Sequence, residues 1–186
     1  MKNIVFLILD EFADWETAFL ASALNEKNIT QNYLVSYAST DKDIKVSMGN
    51  LKMIPDMTLE EITEDNTDGL ILIGGKTWRS QSFETNYTII ELVKKFKNNP
   101  NKVVGAICDA AYFLANNGLL NDCKHTVNNL AEIKDNEKYS FFNFRWICRL
   151  GNCISGFDVK WKNIKFFFNI YTIVFEKKAF EKYSNE

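Results

Sequence analysis

Four cysteines and a single histidine carry the most nucleophilic side chains and the one imidazole of this 186-residue chain. The cysteines stand at 108, 123, 148 and 153, and the histidine at 125. One imidazole and no CxxC pair leave a zinc site without its usual ligands, so no structural metal is expected. Cys108 has the context of a nucleophile. Val103–Ile107 reads as a buried strand running into it, and Ala110–Asn116 as a helix leaving it. Residue 108 then sits at a helix N-terminus, where backbone N–H groups and the positive helix end stabilise a thiolate. An inert cysteine buried at a strand end fits the same spacing.

Other residues could complete such a site. Gly74-Gly75 closes the strand Gly69–Ile73. Paired glycines let backbone amides approach a ligand, and with the amide of Asp109 they could form an oxyanion hole. A plain turn is the alternative. Asp10, Glu11, Asp14 and Glu16 follow the first strand. A carboxyl from this group, placed beside a thiolate in a dry site, would have its pKa raised and could donate a hydrogen bond. Acids at a helix start need no catalytic explanation, so that reading stays open. His125 lies in Lys124–Val127, an expected strand. It could serve Cys108 as a base only within hydrogen-bond reach, and a strand histidine satisfied by its neighbours is the simpler reading.

The elements that must position these groups alternate in type. Asn3–Leu9 is a continuous apolar run, as for a strand covered on both faces. Asp14–Lys27 carries Trp15, Phe19, Leu20 and Leu24 near helical spacing. Tyr33–Tyr37 is a second strand. Ile44–Met48 and Leu51–Ile54 flank Gly49-Asn50, a hairpin signal. Tyr87–Phe96 is a helix stopped by Asn98-Asn99-Pro100, and Asn117-Gly118 closes the helix after Cys108. This order predicts an α/β fold, a three-layer sandwich with a mostly parallel central sheet and helices on both faces, of the flavodoxin-like kind.

The last quarter differs. Trp146–Cys148 and Cys153–Ser155 read as strands about Gly151-Asn152, and Trp161–Tyr183 as a helix with Phe166-Phe167-Phe168 disturbing its period. No repeat or Pro/Ser-rich linker breaks the chain, so one domain over 1–186 is expected. A net charge of −2 argues against nucleic acid as a partner. Apolar runs fall well short of the ~20 residues of a membrane span, and Met1–Asp10 lacks signal-peptide features. A cytoplasmic protein with reduced thiols is the expectation.

Taken together these residues resemble the ThiJ/PfpI superfamily, the DJ-one/PfpI group related to class I glutamine amidotransferases. The motifs are Ile4–Glu16, then Asp68–Gly75, then Gly105-Ala106-Ile107-Cys108, followed by Leu114-Ala115 and Gly118-Leu119-Leu120. They cover about Met1 to Tyr139. The resemblance implies that Cys108 is the elbow cysteine, that Glu16 is the acid contacting it, and that Gly75 and Asp109 are backbone oxyanion donors. It implies a homodimer, often with the Gly49-Asn50 hairpin near the contact. It implies no cofactor. Peptidase-like members carry His directly after the cysteine, where this chain has Asp109. Other members place a His where this chain has Asn128, three residues after His125. Residues 141–186 depart from the family pattern. Two functions follow from the resemblance. One is an enzyme acting on a small carbonyl or amide substrate, of the glyoxalase or deglycase kind or the amidase or peptidase kind. The other is a non-enzymatic oxidative-stress sensor, in which an oxidant converts Cys108 to a sulfinate held by protonated Glu16.

Overall fold

The computed structural model describes residues 1–25, 33–122, 125 and 129–139, together with short strands between 148 and 175. The chain runs β1 (Lys2–Leu7), α1 (Asp14–Asn25), β2 (Tyr33–Ser39), β3 (Lys45–Val46), β4 (Lys52–Met53), β5 (Met57–Thr58) and β6 (Gly69–Leu72). A short 3-10 turn, Lys76–Arg79, leads to α2 (Phe83–Asn98), β7 (Val103–Ile107) and α3 (Asp109–Asn116). Beyond these lie β8 (Cys148–Arg149), β9 (Asn152–Cys153), β10 (Val159–Trp161), β11 (Ile164–Phe166) and β12 (Ile173–Phe175).

The central sheet has the order β12-β7-β6-β1-β2-β5. Pairs among β7, β6, β1, β2 and β5 are parallel, and β12 joins β7 antiparallel. The mostly parallel α/β sheet expected from the sequence is therefore present. Side-chain alternation along the strands divides the core. Val5 and Leu7 of β1, Leu70 and Leu72 of β6, and Val104 and Ala106 of β7 pack with Ile89, Val93 and Phe96 of α2 and with Ala110 and Leu114 of α3. Ile4 and Phe6 of β1, Ile71 of β6 and Ile107 of β7 pack with Leu20 and Leu24 of α1. Strands covered on both faces must be apolar at successive positions, which is why β1 reads as an unbroken run.

Register sets the site. Leu7 lies level with Leu72, and Leu72 with Ala106. The loops that leave β1, β6 and β7 therefore emerge side by side at one sheet edge, the place where open α/β sheets bind ligands. Gly49-Asn50 turns the hairpin of β3 and β4 as expected, with Asn50 at φ 66°. No helix among the described residues is long and apolar enough to cross a membrane.

Two expectations need correction. Helix α2 begins at Phe83 rather than Tyr87, because the Ser82 side chain accepts the Thr85 N–H at 3.2 Å and caps an earlier turn. The described parts of Trp161–Tyr183, expected as a helix, are strand instead: β10, β11 and β12 occupy parts of that stretch and of the residues just before it. Ile164, Phe166, Ile173, Val174 and Phe175 are β-branched or aromatic, and such side chains suit a pleated surface. The remaining residues of that stretch lie outside the described ones, as do Glu26, Lys27 and all of Lys124–Val127 except His125.

Phe96 is fully buried between α2 and the sheet, while Phe83, on the same helix, is exposed. Phe96→Ala should lower the stability by about 3–5 kcal/mol through lost burial and a residual cavity. Phe83→Ala should change it by less than about 0.5 kcal/mol. Urea unfolding of the two variants measures both.

Candidate active site at the strand-to-helix elbow

β7 delivers Cys108 to the edge of the sheet, and α3 starts at the next residue. The turn is too sharp for ordinary backbone angles, and Cys108 adopts φ 54° and ψ −124°. A non-glycine residue there is strained by about 1–3 kcal/mol, and such strain persists only where the surroundings over-determine it. The surroundings do so here. β7 is held by β6 on one side and β12 on the other, and the Cys108 carbonyl accepts N–H groups from Ala111 at 3.0 Å and Tyr112 at 3.2 Å. Ala106, Ala110 and Ala111 are fully buried around the turn, and their small side chains let strand and helix pack closely. The geometry is that of a nucleophile elbow.

Glu16 reaches the same place from the first turn of α1. It is only 4% exposed. Its Oε2 accepts the Gly74 N–H at 2.7 Å, and its Oε1 is buried with no hydrogen-bond partner among the described residues. Burial pushes its pKa from 4.5 up to about 8; the Gly74 hydrogen bond lowers it somewhat and the charge of Asp109 raises it. At neutral pH the side chain is therefore mostly a neutral acid. Oε2 is already an acceptor, so the proton belongs on Oε1.

Gly74 is the junction between the two groups. A Cβ on Gly74 would lie 2.6 Å from the Cβ of Cys108, 2.8 Å from Glu16 Oε2 and 2.9 Å from Glu16 Oε1. Cysteine and carboxyl thus converge over a backbone that has no room for a side chain. Gly75 closes the adjoining contact. It bridges Phe12, the Ala13 N–H donates to the Gly74 carbonyl at 2.9 Å, and a Cβ at Gly75 would lie 2.7 Å from the Glu11 carbonyl oxygen. Glu11 itself adopts φ 54°.

The other acids after β1 have structural tasks. Asp10 accepts the Val46 N–H at 3.1 Å, and Asp14 accepts the Ser47 hydroxyl at 2.9 Å, so both fasten the hairpin. Glu11 lies 3.6 Å from the Lys76 ammonium. Asp109 is clamped by Arg79, whose Nε and Nη2 donate to its two oxygens at 3.0 Å each. Trp78 donates its indole N–H to the Ile73 carbonyl at 2.6 Å and packs on Phe113.

The structure therefore brings Cys108, Glu16, Gly75 and Asp109 to one edge. It places His125 elsewhere in its contacts: the ring is fully buried, with Nε2 2.9 Å from the Tyr139 hydroxyl and an edge-on packing against that ring. This is the histidine satisfied by its neighbours. Asn128 lies outside the described residues. Sequence reasoning missed Trp78 and Arg79, which sit in a non-periodic stretch. The available signal was a cation soon after the Gly74-Gly75 pair, opposite an acid at a helix start.

A parallel α/β sheet with a cysteine on a nucleophile elbow and an acid beside it defines a class of proteins. Within that class the chain belongs to the DJ-1/PfpI family, whose model matches residues 2–156. The match runs past Tyr139, where the recognisable motifs end. The chain is similar to a Bacillus subtilis protein named uncharacterized protease YdeA, 38% identical over 141 residues, 75% of this chain and 66% of that one. It is 28% identical over 124 residues to deglycase PfpI of Pyrococcus furiosus, 67% of this chain and 70% of that one. Among solved structures, the DJ-1 superfamily protein Atu0886 from Agrobacterium tumefaciens superimposes with a TM-score of 0.64 at 29% identity, covering 78% of this chain and 74% of that one. The chain spans just under two thirds of the length of the YdeA protein.

The raised Glu16 pKa makes stability depend on pH with a defined sign. An acid whose folded pKa of about 8 exceeds its unfolded value contributes stability below pH 4.5, and that contribution is lost as pH rises through 8. The urea midpoint of the wild type should therefore fall between pH 5 and pH 9 relative to that of Glu16→Gln, which cannot ionise. Parallel midpoints in the two proteins would show that the carboxyl is not held neutral.

Proposed function

We propose that this chain is a cysteine-dependent enzyme acting on a small carbonyl substrate, in the manner of a glyoxalase or deglycase. Cys108 is the nucleophile, Glu16 the acid and base, and the N–H groups of Gly75 and Asp109 the oxyanion donors. The observation that carries this reading is the junction at Gly74, where a strained cysteine meets a buried carboxyl with a pKa of about 8. A group that titrates near neutral pH is suited to giving and taking a proton. In the first step the thiolate sulfur bonds to the carbonyl carbon, and the C=O π pair moves onto oxygen. That oxygen takes the Glu16 proton and leaves a carboxylate, which can then accept a proton from the adduct.

The relatives named a protease and a deglycase frame two substrate classes, amide and carbonyl. The carbonyl is favoured on one ground. Amide cleavage by a cysteine nucleophile usually employs an imidazole beside it to protonate the leaving amine. Here Asp109 follows Cys108, and His125 is engaged with Tyr139. The same substitution of Asp109 for His favours the second reading, an oxidative-stress sensor in which Cys108 becomes a sulfinate hydrogen-bonded by protonated Glu16.

The test is turnover of methylglyoxal by the purified chain. Wild type should consume it, Cys108→Ser should be inactive, and Glu16→Gln should lose about 10²–10⁴-fold in rate as general acid–base catalysis is removed. Hydrolysis of a chromogenic amide without methylglyoxal turnover would establish the hydrolase instead. Sulfinate on Cys108 after mild peroxide, with neither turnover, would establish the sensor.

A homodimer is the proposed assembly. Ile44, Met48, Leu51 and Ile54 are 53%, 36%, 48% and 67% exposed about the β3–β4 hairpin, an apolar patch of the kind that marks an interface. Symmetric dimers are the commonest soluble oligomers. Light scattering at micromolar concentration should give twice the chain mass of 21.5 kDa, and a monomer mass would contradict the assignment.

A further inference from the structure

Arg79 belongs to none of the motifs above, yet it ties the β6 loop to the start of α3. It ends the 3-10 turn that follows Gly74-Gly75. Its Nε donates to Asp109 Oδ2 and its Nη2 to Asp109 Oδ1, each at 3.0 Å, and Nη1 donates to Glu132 Oε2 at 2.6 Å. The guanidinium carbon lies 4.5 Å over the Tyr112 ring, on α3. A two-point contact between planar groups fixes orientation as well as distance, which a lysine ammonium cannot reproduce. The backbone that carries Arg79 is itself anchored, because the adjacent Trp78 is bonded to Ile73 and buried.

The acid held in this fork is the residue directly after Cys108. An unpaired carboxylate at that position would disfavour a neighbouring thiolate. Among the described residues, the charged and titratable groups around the elbow are Glu16 from α1, Glu11 and Lys76 from the two loops, Asp109 from α3, and Glu132 beyond Arg79. The Asp109 charge already reaches Glu16, where it contributes to the raised pKa.

We propose that Arg79 is a positioning residue of the elbow: its fork neutralises the Asp109 carboxylate and fixes the first N–H of α3, and so sets how much of Cys108 is thiolate. The inference rests on the reading of Cys108 as nucleophile.

The experiment follows the rate of Cys108 alkylation by iodoacetamide against pH, by mass spectrometry of the full chain. It compares wild type, Arg79→Met, Arg79→Lys, Asp109→Asn and the double variant Arg79→Met/Asp109→Asn. Arg79→Met should move the profile to higher pH and slow alkylation at neutral pH by about fivefold. Arg79→Lys, which keeps the charge and loses the fork, should fall between. Asp109→Asn removes the charge that needs neutralising, so the double variant should follow Asp109→Asn. A merely structural role would not shift a pH profile in a sample whose circular dichroism matches wild type. An Arg79→Met profile overlying wild type, or a double variant slowed as much as Arg79→Met alone, would overturn the role of Arg79 while leaving the nucleophile in place. Wild-type Cys108 reacting no faster than Cys123, Cys148 and Cys153 would overturn both readings.

Discussion

Glu16 is buried with one hydrogen bond, from the Gly74 N–H, and no cation among the described residues pairs with it. A carboxylate in that setting would carry the full cost of desolvation, so the group keeps its proton instead. Much of the elbow's arrangement follows from that choice. The neutral acid can lie against the cysteine without repelling a thiolate. It can do so only because residue 74 has no side chain, since a Cβ would meet both groups inside 3 Å. Gly75 serves the neighbouring contact, where a Cβ would meet the Glu11–Phe12 backbone inside 3 Å.

The fold supplies the rigidity this needs. Three non-glycine residues have positive φ among the described residues: Glu11, Asn50 and Cys108. Two flank the site, and the third turns the hairpin that Asp10 and Asp14 fasten to the β1 loop. The hairpin tip is pressed onto the start of α1, since a Cβ at Gly49 would overlap the Asp14 carboxyl. Strain at Cys108 is thus opposed by a parallel sheet on one side and by a network of short loops on the other. Thr77 adds to that network by donating its hydroxyl to the Asp10 carbonyl, joining the β6 turn to the β1 loop.

The central sheet was legible because its strands are covered on both faces and so read as unbroken apolar runs, punctuated by Gly74-Gly75 and Gly118. Cys108 was legible for a similar reason, being the one cysteine between a strand and a helix. Which of four acids enters the site was not readable from spacing, because Asp10, Glu11, Asp14 and Glu16 are all plausible helix-start residues. The family resemblance pointed to Glu16, whose carboxyl lies at Gly74 near the Cβ of Cys108. The Arg79–Asp109 fork was invisible, since it joins residues thirty positions apart across two loops with no periodic pattern. The described parts of Trp161–Tyr183 are strand rather than the expected helix, in keeping with aromatic and β-branched residues that already disturbed the helical period and that suit a pleated surface.

The proton balance of the elbow has a further consequence. Cys108 and Glu16 converge on Gly74, where a Cβ would meet both inside 3 Å, so the charge on one bears on the charge of the other. Two singly protonated arrangements compete: thiolate with carboxylic acid, and thiol with carboxylate. Burial of Glu16 disfavours its ionised form. A helix N-terminus such as the start of α3 favours negative charge beside it. On the proposed reading of Cys108 as nucleophile, both biases favour the same arrangement, although they arise from different parts of the fold, a desolvated α1 side chain and an α3 dipole. Asp109 works against the thiolate and for the neutral acid, so its charge pulls the two sites in opposite senses. On the proposed reading of Cys108, the Arg79 fork offsets an acid that would otherwise stand uncompensated beside the cysteine, so the side chain that holds Asp109 bears on the chemistry of the elbow as well as on its packing.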